Sequence, residues 1–200
     1  MKVQIISKTT RILSLLTLLT LTIVGLFVYQ NMRQASPSNQ TDAQKFSNEY
    51  TSVPADNRFT YATNEKIAQL FTEGTGVVFL GFPECPWCQH LAPLLNVAAQ
   101  SEDIRAIYYL NIRNERANNT ELYRQLVSYL SPYLPKDEDG KPRISVPDVT
   151  FLKNGKIAHR FKQENTPSGE SLTPDSYWTN ERQEKAIATL REYVKSIRDE

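Results

Sequence analysis

The sequence predicts a domain of the α/β or mixed α+β class, preceded by one helix that crosses a membrane. From Arg58 onward, strand-like apolar runs alternate with amphipathic helical patterns, which is typical of these classes. Before that domain, residues 12–29 form an apolar run without a charged side chain. The chain of 200 residues has room for one domain of ordinary size plus such an appendage.

The apolar run is long enough to cross a bilayer, because its 18 residues rise about 27 Å as a helix. Lys and Arg are more frequent in residues 1–11 than directly after the run, which favours a cytoplasmic N-terminus and an extracytoplasmic domain. A cleaved signal peptide is the alternative. We therefore expect a single-pass cell-membrane protein in which the polar residues 30–57 form a flexible tether.

The domain, residues 58–200, begins with strands and helices in alternation. Residues 59–61 resemble a short edge strand, and Thr63 is the expected N-cap of a helix with an apolar stripe. The run 77–82 is continuously apolar, as in a central strand covered on both faces. A helix follows it, and residues 104–112 are the second central strand.

The second half adds a helix, a hairpin and a terminal helix. Residues 120–130 carry apolar side chains on one helical face, and the Pro- and Gly-containing segment 131–143 is an exposed loop. Asn154-Gly155, between two apolar alternating segments, predicts a tight hairpin turn. The final amphipathic helix ends at Ile197.

The composition excludes two classes of protein. A formal net charge of +1, with charges of both signs intermixed, gives no indication of a nucleic-acid partner. The chain has only two cysteines, Cys85 and Cys88, which is too few for a small domain stapled by disulfides.

The run Cys85-Pro86-Trp87-Cys88 lies between a strand and a helix, which suits redox chemistry. The first cysteine falls at the helix N-terminus, where free N–H groups and the helix dipole favour a thiolate, the nucleophilic form. The second lies one turn later at about 5 to 6 Å, a separation that a disulfide can span. We expect Cys85 to be exposed and to attack a substrate, and the more buried Cys88 to resolve the mixed disulfide.

Other functions of these cysteines were weighed against redox chemistry. A zinc site needs more ligands, and adding His90 and His159 gives no common ligand spacing. Covalent haem is excluded because Gln89, not histidine, follows Cys88. A structural disulfide stays open, although so small a loop would stabilise the fold little.

Four segments in order resemble the thioredoxin-like superfamily. They are the strand 77–82 leading into the cysteines, Leu110-Asn111-Ile112, the Val-Pro strand and Lys-Asn-Gly turn within 146–155, and the terminal helix. The resemblance implies a central mixed sheet flanked by helices and a protein-disulfide oxidoreductase. Such an enzyme needs no dissociable cofactor, because the cysteine pair carries two electrons.

The resemblance also implies how a substrate is held. Pro147 would follow a cis peptide bond beside the cysteines, and the backbone of Val146 would pair with an extended substrate. Trp87, between the cysteines, is expected to be exposed and to offer an apolar contact surface.

The sequence departs from the family pattern at the groups that handle protons. Phe79 and Tyr109 occupy the places of the family's buried acid and its lysine partner. Glu84 and His90 are candidate modulators of the cysteines, although a solvated carboxylate and a surface histidine are the simpler interpretations. The motif therefore leaves open whether the protein oxidises, reduces or isomerises disulfides.

An insertion around residues 113–143 is expected to form part of a partner-specific surface. A narrower resemblance is to the membrane-tethered thioredoxin-like proteins of Gram-positive bacteria, which include the bacteriocin transport accessory proteins. The expected partners are exported protein or peptide substrates and a redox protein that recycles the enzyme. The alternative is a non-catalytic accessory that binds an exported peptide or a transporter.

Overall fold

The computed structural model describes residues 13, 19–26, 40–163 and 172–198. The contacts divide the chain into two units, residues 1–40 and residues 41–200.

In the first unit, Leu13 and residues 19–26 are helical, and their apolar side chains are exposed. Among the described residues, no helix has the length and apolar character needed to cross a bilayer. The remaining residues of the predicted anchor, and residues 30–39 of the predicted tether, lie outside the described residues.

The second unit is an α/β domain. Its helices are α1 (Asp42–Glu49), α2 (Asn64–Thr72), α3 (Pro86–Ser101), α4 (Arg113–Ala117), α5 (Glu121–Leu130), a 3₁₀ turn (Ser131–Tyr133), α6 (Pro174–Tyr177) and α7 (Asn180–Ile197). Its strands are β1 (Phe59–Tyr61), β2 (Gly76–Gly81), β3 (Ile107–Asn111), β4 (Asp148–Lys153) and β5 (Lys156–Phe161).

The five strands form one mixed sheet in the order β1-β3-β2-β4-β5. Strands β1 and β2 run parallel to β3, whereas β4 is antiparallel to both β2 and β5. The register pairs Gly81 with Asn111 and Leu80 with Asp148. The expected α/β domain with a central mixed sheet flanked by helices is therefore confirmed, and β1 is the expected edge strand.

Alternation along β2 divides the core between the two faces of the sheet. Val77 and Phe79 point to one face, where they pack with α1, α3 and α7. Val78 and Leu80 point to the other, where they pack with α2 and α5. All four side chains are fully buried, as expected for a central strand covered on both faces.

Threonine begins most of the described helices of this domain. In each case its hydroxyl oxygen accepts a backbone N–H from the first turn and satisfies a donor that the helix itself leaves unpaired. These N-caps are Thr41, Thr63, Thr120, Thr173 and Thr179. The predicted cap at Thr63 and the helix predicted over 120–130 are thus confirmed.

The predicted hairpin turn is also present. Asn154 and Gly155 have φ angles of 51° and 73°, the left-handed values that a two-residue hairpin loop requires. A Cβ on Gly155 would lie 2.1 Å from the Thr72 carbonyl oxygen, so this position excludes any larger residue. The turn therefore fixes β4 and β5 against the end of α2.

The tether prediction is wrong for residues 41–57. Thr41 and Gln44 form a reciprocal capping box that begins α1, and Phe46 and Tyr50 are fully buried in the main core. The polar composition of this segment obscured these two aromatic residues one helical turn apart. The folded domain consequently begins at about Thr41 rather than Arg58.

Replacing Phe46 with alanine should destabilise the domain by about 3 to 5 kcal/mol, the cost of emptying a buried aromatic site. Its ring stacks on those of Phe59 and Tyr50 at centroid distances of 3.8 Å and 4.2 Å. Urea unfolding followed by circular dichroism measures the effect, and Asn48→Ala on the exposed face of the same helix is the control. Equal stabilities of the two variants would mean that α1 is not part of the folded domain.

Candidate active site

Cys85 occupies the position that threonine takes at the other helices. It is the N-cap of α3, and its Sγ accepts the backbone N–H of Cys88 at 3.2 Å. Pro86 follows as the first helical residue, where its missing N–H costs nothing. The sulfur of Cys85 thus lies where the unpaired N–H groups and the dipole of the helix favour a negative charge.

The surroundings of Cys85 lower its pKa from the usual thiol value to about 7. The largest cause is a hydrogen bond from the Cys88 thiol, and the backbone N–H groups of Cys88 and Trp87 and the charge of Arg116 add to it. Burial acts in the opposite direction but is outweighed. Near neutral pH a large part of Cys85 is therefore the nucleophilic thiolate.

Cys88 has the opposite environment. It is fully buried, and burial raises the pKa of its thiol far above the usual value. A Cβ on Gly81 would lie 3.2 Å from the Cys88 sulfur and 3.0 Å from the Phe79 ring, so this part of β2 has no space for a side chain. Cys88 consequently remains a protonated donor to Cys85 in the dithiol form.

The Val146–Pro147 peptide bond is cis, as the family resemblance implied. Because β4 pairs antiparallel with β2, the residues before Asp148 return to the end of β2, directly beside the cysteines. The Cys85 sulfur lies 3.9 Å from the carbonyl oxygen of Val146. The sequence therefore identified three groups that the fold brings together, namely Cys85, Cys88 and the Val146–Pro147 bond.

Cys85 is less accessible than expected. Only 6% of its surface is exposed, so the prediction of an exposed nucleophile is wrong. The Val146 carbonyl on one side and the first turn of α3 on the other enclose the sulfur.

The loop that carries Val146 is fixed at both ends by side chains. The N–H of Ile144 donates to the Tyr123 hydroxyl at 3.3 Å, and its carbonyl accepts from Arg116 at 3.4 Å. At the other end, buried Asp148 accepts from Arg160 and from the Thr150 hydroxyl. The residues beside Cys85 are therefore positioned by α4, α5 and β5 as well as by their own strand.

Trp87 is half-buried rather than exposed, because the short helix α6 packs against it. The Trp87 and Tyr177 rings meet edge to face with centroids 5.4 Å apart. Nε2 of His90 lies 2.9 Å from a carboxylate oxygen of Asp175 in the same helix. His90 therefore links α3 to α6.

Glu84 is a solvated loop carboxylate, the simpler of its two interpretations. Its side chain is 59% exposed and forms an ion pair with Arg113, the first residue of α4. The pairing offsets its negative charge next to Cys85 and joins the segment before Cys85 to helix α4.

The sequence analysis did not identify two residues that interact with the Cys85–Cys88 segment. Arg116 lies close enough for its charge to lower the pKa of both thiols. Gln89, the residue after Cys88, donates to the carbonyl oxygens of Glu49 and Pro83 at 2.9 Å and 2.7 Å, which joins α1 to the segment before Cys85. Strand order is the signal that would have indicated Arg116, because parallel β2 and β3 end side by side.

A pair of buried tyrosines, Tyr50 and Tyr109, packs against Phe79. The hydroxyls of Tyr50 and Tyr109 lie 3.4 Å apart behind Phe79, and burial is the largest cause that raises the pKa of each. Both remain neutral phenols at physiological pH, so neither is a base for Cys88. Tyr50 comes from the segment 41–57 that the sequence predicted as tether.

No protein-family model matches the chain, and a search of curated proteins finds no sequence match. The function is therefore inferred from the geometry and chemistry of the site.

Alkylation of Cys85 by iodoacetamide should increase with pH through a midpoint of about 7 in the wild-type dithiol form. The direction follows from the lowered pKa, since the reactive thiolate is already abundant below the pH at which an ordinary thiol ionises. Removing the donor in Cys88→Ala should raise the midpoint, whereas Cys88→Ser keeps a donor and should raise it less. Mass spectrometry measures the alkylation rates. A wild-type midpoint at the pH where an ordinary cysteine ionises would contradict the prediction.

Proposed function

We propose that this protein is a thiol–disulfide oxidoreductase of the thioredoxin-like superfamily that acts on exported proteins or peptides. The observation that carries the proposal is the opposite environment of its two cysteines. Cys85 is a helix N-cap with a pKa lowered to about 7, whereas burial raises the pKa of Cys88. One thiol is thus prepared to attack and the other to remain protonated until a mixed disulfide has formed.

The topology supports the family proposal. The redox segment follows β2, which lies in the middle of the sheet between a parallel and an antiparallel neighbour. The proline with the cis bond precedes β4 at the same end of the sheet. Together with the four sequence segments that resemble the superfamily, this arrangement supports a thioredoxin-like fold.

The proposed reduction of a substrate disulfide has two steps. The Cys85 thiolate attacks one substrate sulfur, the substrate S–S bond breaks, and the other substrate sulfur leaves as a thiolate. Cys88 then loses its proton to the departing thiolate and attacks the Cys85 sulfur, which releases the second substrate thiol. The protein ends as the Cys85–Cys88 disulfide, so two electrons have moved to the substrate; oxidation of a dithiol is the reverse sequence.

The backbone beside Cys85 supports substrate binding in an extended conformation. Among the described residues, the N–H of Val146 has no hydrogen-bond partner, and its carbonyl faces the Cys85 sulfur. A substrate strand can pair with these groups and place its own sulfur at Cys85. The half-buried Trp87 supplies an apolar contact nearby.

The location proposed for this reaction is the extracytoplasmic face of the cell membrane. Its basis is the uncharged run 12–29 with basic residues before it. The narrower likeness to bacteriocin transport accessory proteins favours a secreted peptide as substrate. A second redox protein would return the cysteines to their starting oxidation state.

A second candidate is a non-catalytic accessory that binds an exported peptide or a transporter. The small exposed fraction of Cys85, 6%, favours it, as does Phe79 in the place of a buried acid. Burial slows exchange with large substrates, and without the acid the proton of Cys88 needs another acceptor, although neither feature prevents exchange.

Trapping distinguishes the two functions. Cys88→Ala should accumulate mixed disulfides with its substrates because the resolving sulfur is missing, whereas Cys85→Ser should form none because the attacking sulfur is missing. The adducts are separated by non-reducing electrophoresis after rapid acid quenching, and they must disappear on reduction.

Equal adduct formation by the two variants, or full biological activity of both, would exclude disulfide exchange as the function. The double variant Cys85→Ser/Cys88→Ala is the control for adducts that arise without either thiol.

A further inference from the structure

One cation beside the redox pair has no acidic partner in the described part of the chain. Arg116 forms no ion pair with a described carboxylate, whereas Arg113, on the same short helix, is neutralised by Glu84. Arg116 is half-buried, so water screens its charge less than that of a fully exposed arginine. Its charge therefore remains available to something that enters the site.

The guanidinium of Arg116 lies between the two loops that flank Cys85. Its central carbon is 5.4 Å from the centroid of the Phe82 ring, three residues before Cys85. One of its nitrogens donates to the carbonyl oxygen of Ile144, two residues before Val146. Of its five N–H donors, one makes this bond, and no described residue accepts from the others.

The position follows from the topology of the sheet. Parallel strands β2 and β3 end together, with Gly81 opposite Asn111. The segment that leads to Cys85 and the helix α4 therefore begin at the same edge of the sheet. The charge of Arg116 lowers the pKa of both thiols, which places it within electrostatic reach of the reacting sulfur.

We propose that Arg116 is a specificity-determining residue that binds a substrate carboxylate, so that the preferred substrates carry an acidic residue next to the reacting cysteine. The inference rests on the proposed function and names the substrate class of that site. A guanidinium matches the two oxygens of a carboxylate, and a substrate paired with Val146 brings the residues beside its cysteine to this edge.

A cation at this place would counter the charge of the Cys85 thiolate. An acidic substrate would otherwise be repelled by the negative sulfur that it must approach. Glu84 contributes little to this repulsion because Arg113 pairs with it. Arg116 therefore offsets the thiolate charge and adds a point of attachment.

The test compares the alkylation of Cys85 by anionic iodoacetate and by neutral iodoacetamide, in a Cys88→Ser background. Both reagents react with the same thiolate, so the ratio of their rate constants cancels the Cys85 pKa and reports the attraction of a carboxylate. Arg116→Met should lower the ratio about fivefold at low salt, and Arg116→Lys should retain most of it.

Arg105→Met is the matched control, because Arg105 is exposed and lies before β3, at the opposite end from Arg116. It should leave the ratio unchanged. In the protein with both arginines intact, added salt should reduce the ratio, a measurement that stands even if Arg116→Met does not fold. The proposal would be overturned if neither Arg116→Met nor salt changed the ratio of rate constants. It would also be overturned if Arg105→Met lowered the ratio as much as Arg116→Met does.

Peptide disulfides with Glu or Gln beside the cysteine then separate this inference from the proposed function. The Glu peptide should react several-fold faster than the Gln peptide, and Arg116→Met should abolish the difference. Exchange at equal rates in the wild type overturns the acidic preference and leaves the oxidoreductase function standing. If the alkylation ratio depends on the charge of Arg116 but neither peptide undergoes disulfide exchange, the carboxylate site is supported and the oxidoreductase function is excluded.

Discussion

The N-cap position of Cys85, whose sulfur accepts the Cys88 N–H, is the constraint on which the rest of the site depends. It arises because only residues 82–85 separate β2 from α3, so the first cysteine becomes an N-cap and its sulfur replaces a threonine oxygen. A thiol can take this position as a charged group, which a threonine hydroxyl cannot at neutral pH. The local rule that begins the other helices therefore also creates a nucleophile.

Fixed surroundings also position the Cys85 sulfur. The antiparallel pairing of β4 with β2 brings Val146 to the sulfur, and side chains of α4 and α5 bind the backbone of Ile144 just before it. Helices α4 and α5 thus support the loop beside Cys85. Burial of Cys88 against β2 completes the asymmetry, because it separates the two thiols in pKa although they lie one helical turn apart.

Local sequence patterns predicted most of the fold and, within the site, Cys85, Cys88 and the Val146–Pro147 bond. The continuous apolar run of β2, the Asn154-Gly155 turn and Thr63 each depend on a few neighbouring residues, and all three appear as expected. The position of Arg116 beside the cysteines depends instead on the order of the strands in the sheet, which a single sequence indicates only indirectly. The exposure of Cys85 and Trp87 was misjudged for a similar reason, because distant segments of the chain cover them.

The reduction potential of the Cys85–Cys88 pair is the most direct measurement of the central claim, that these cysteines form a reversible redox centre. Equilibration with glutathione or dithiothreitol buffers, followed by acid trapping and mass spectrometry, gives the value. We expect one reversible two-electron transition between about −270 and −120 mV, the range of redox-active pairs in this kind of site. A pair that forms no disulfide, or a potential below about −300 mV as in structural disulfides, would contradict the claim.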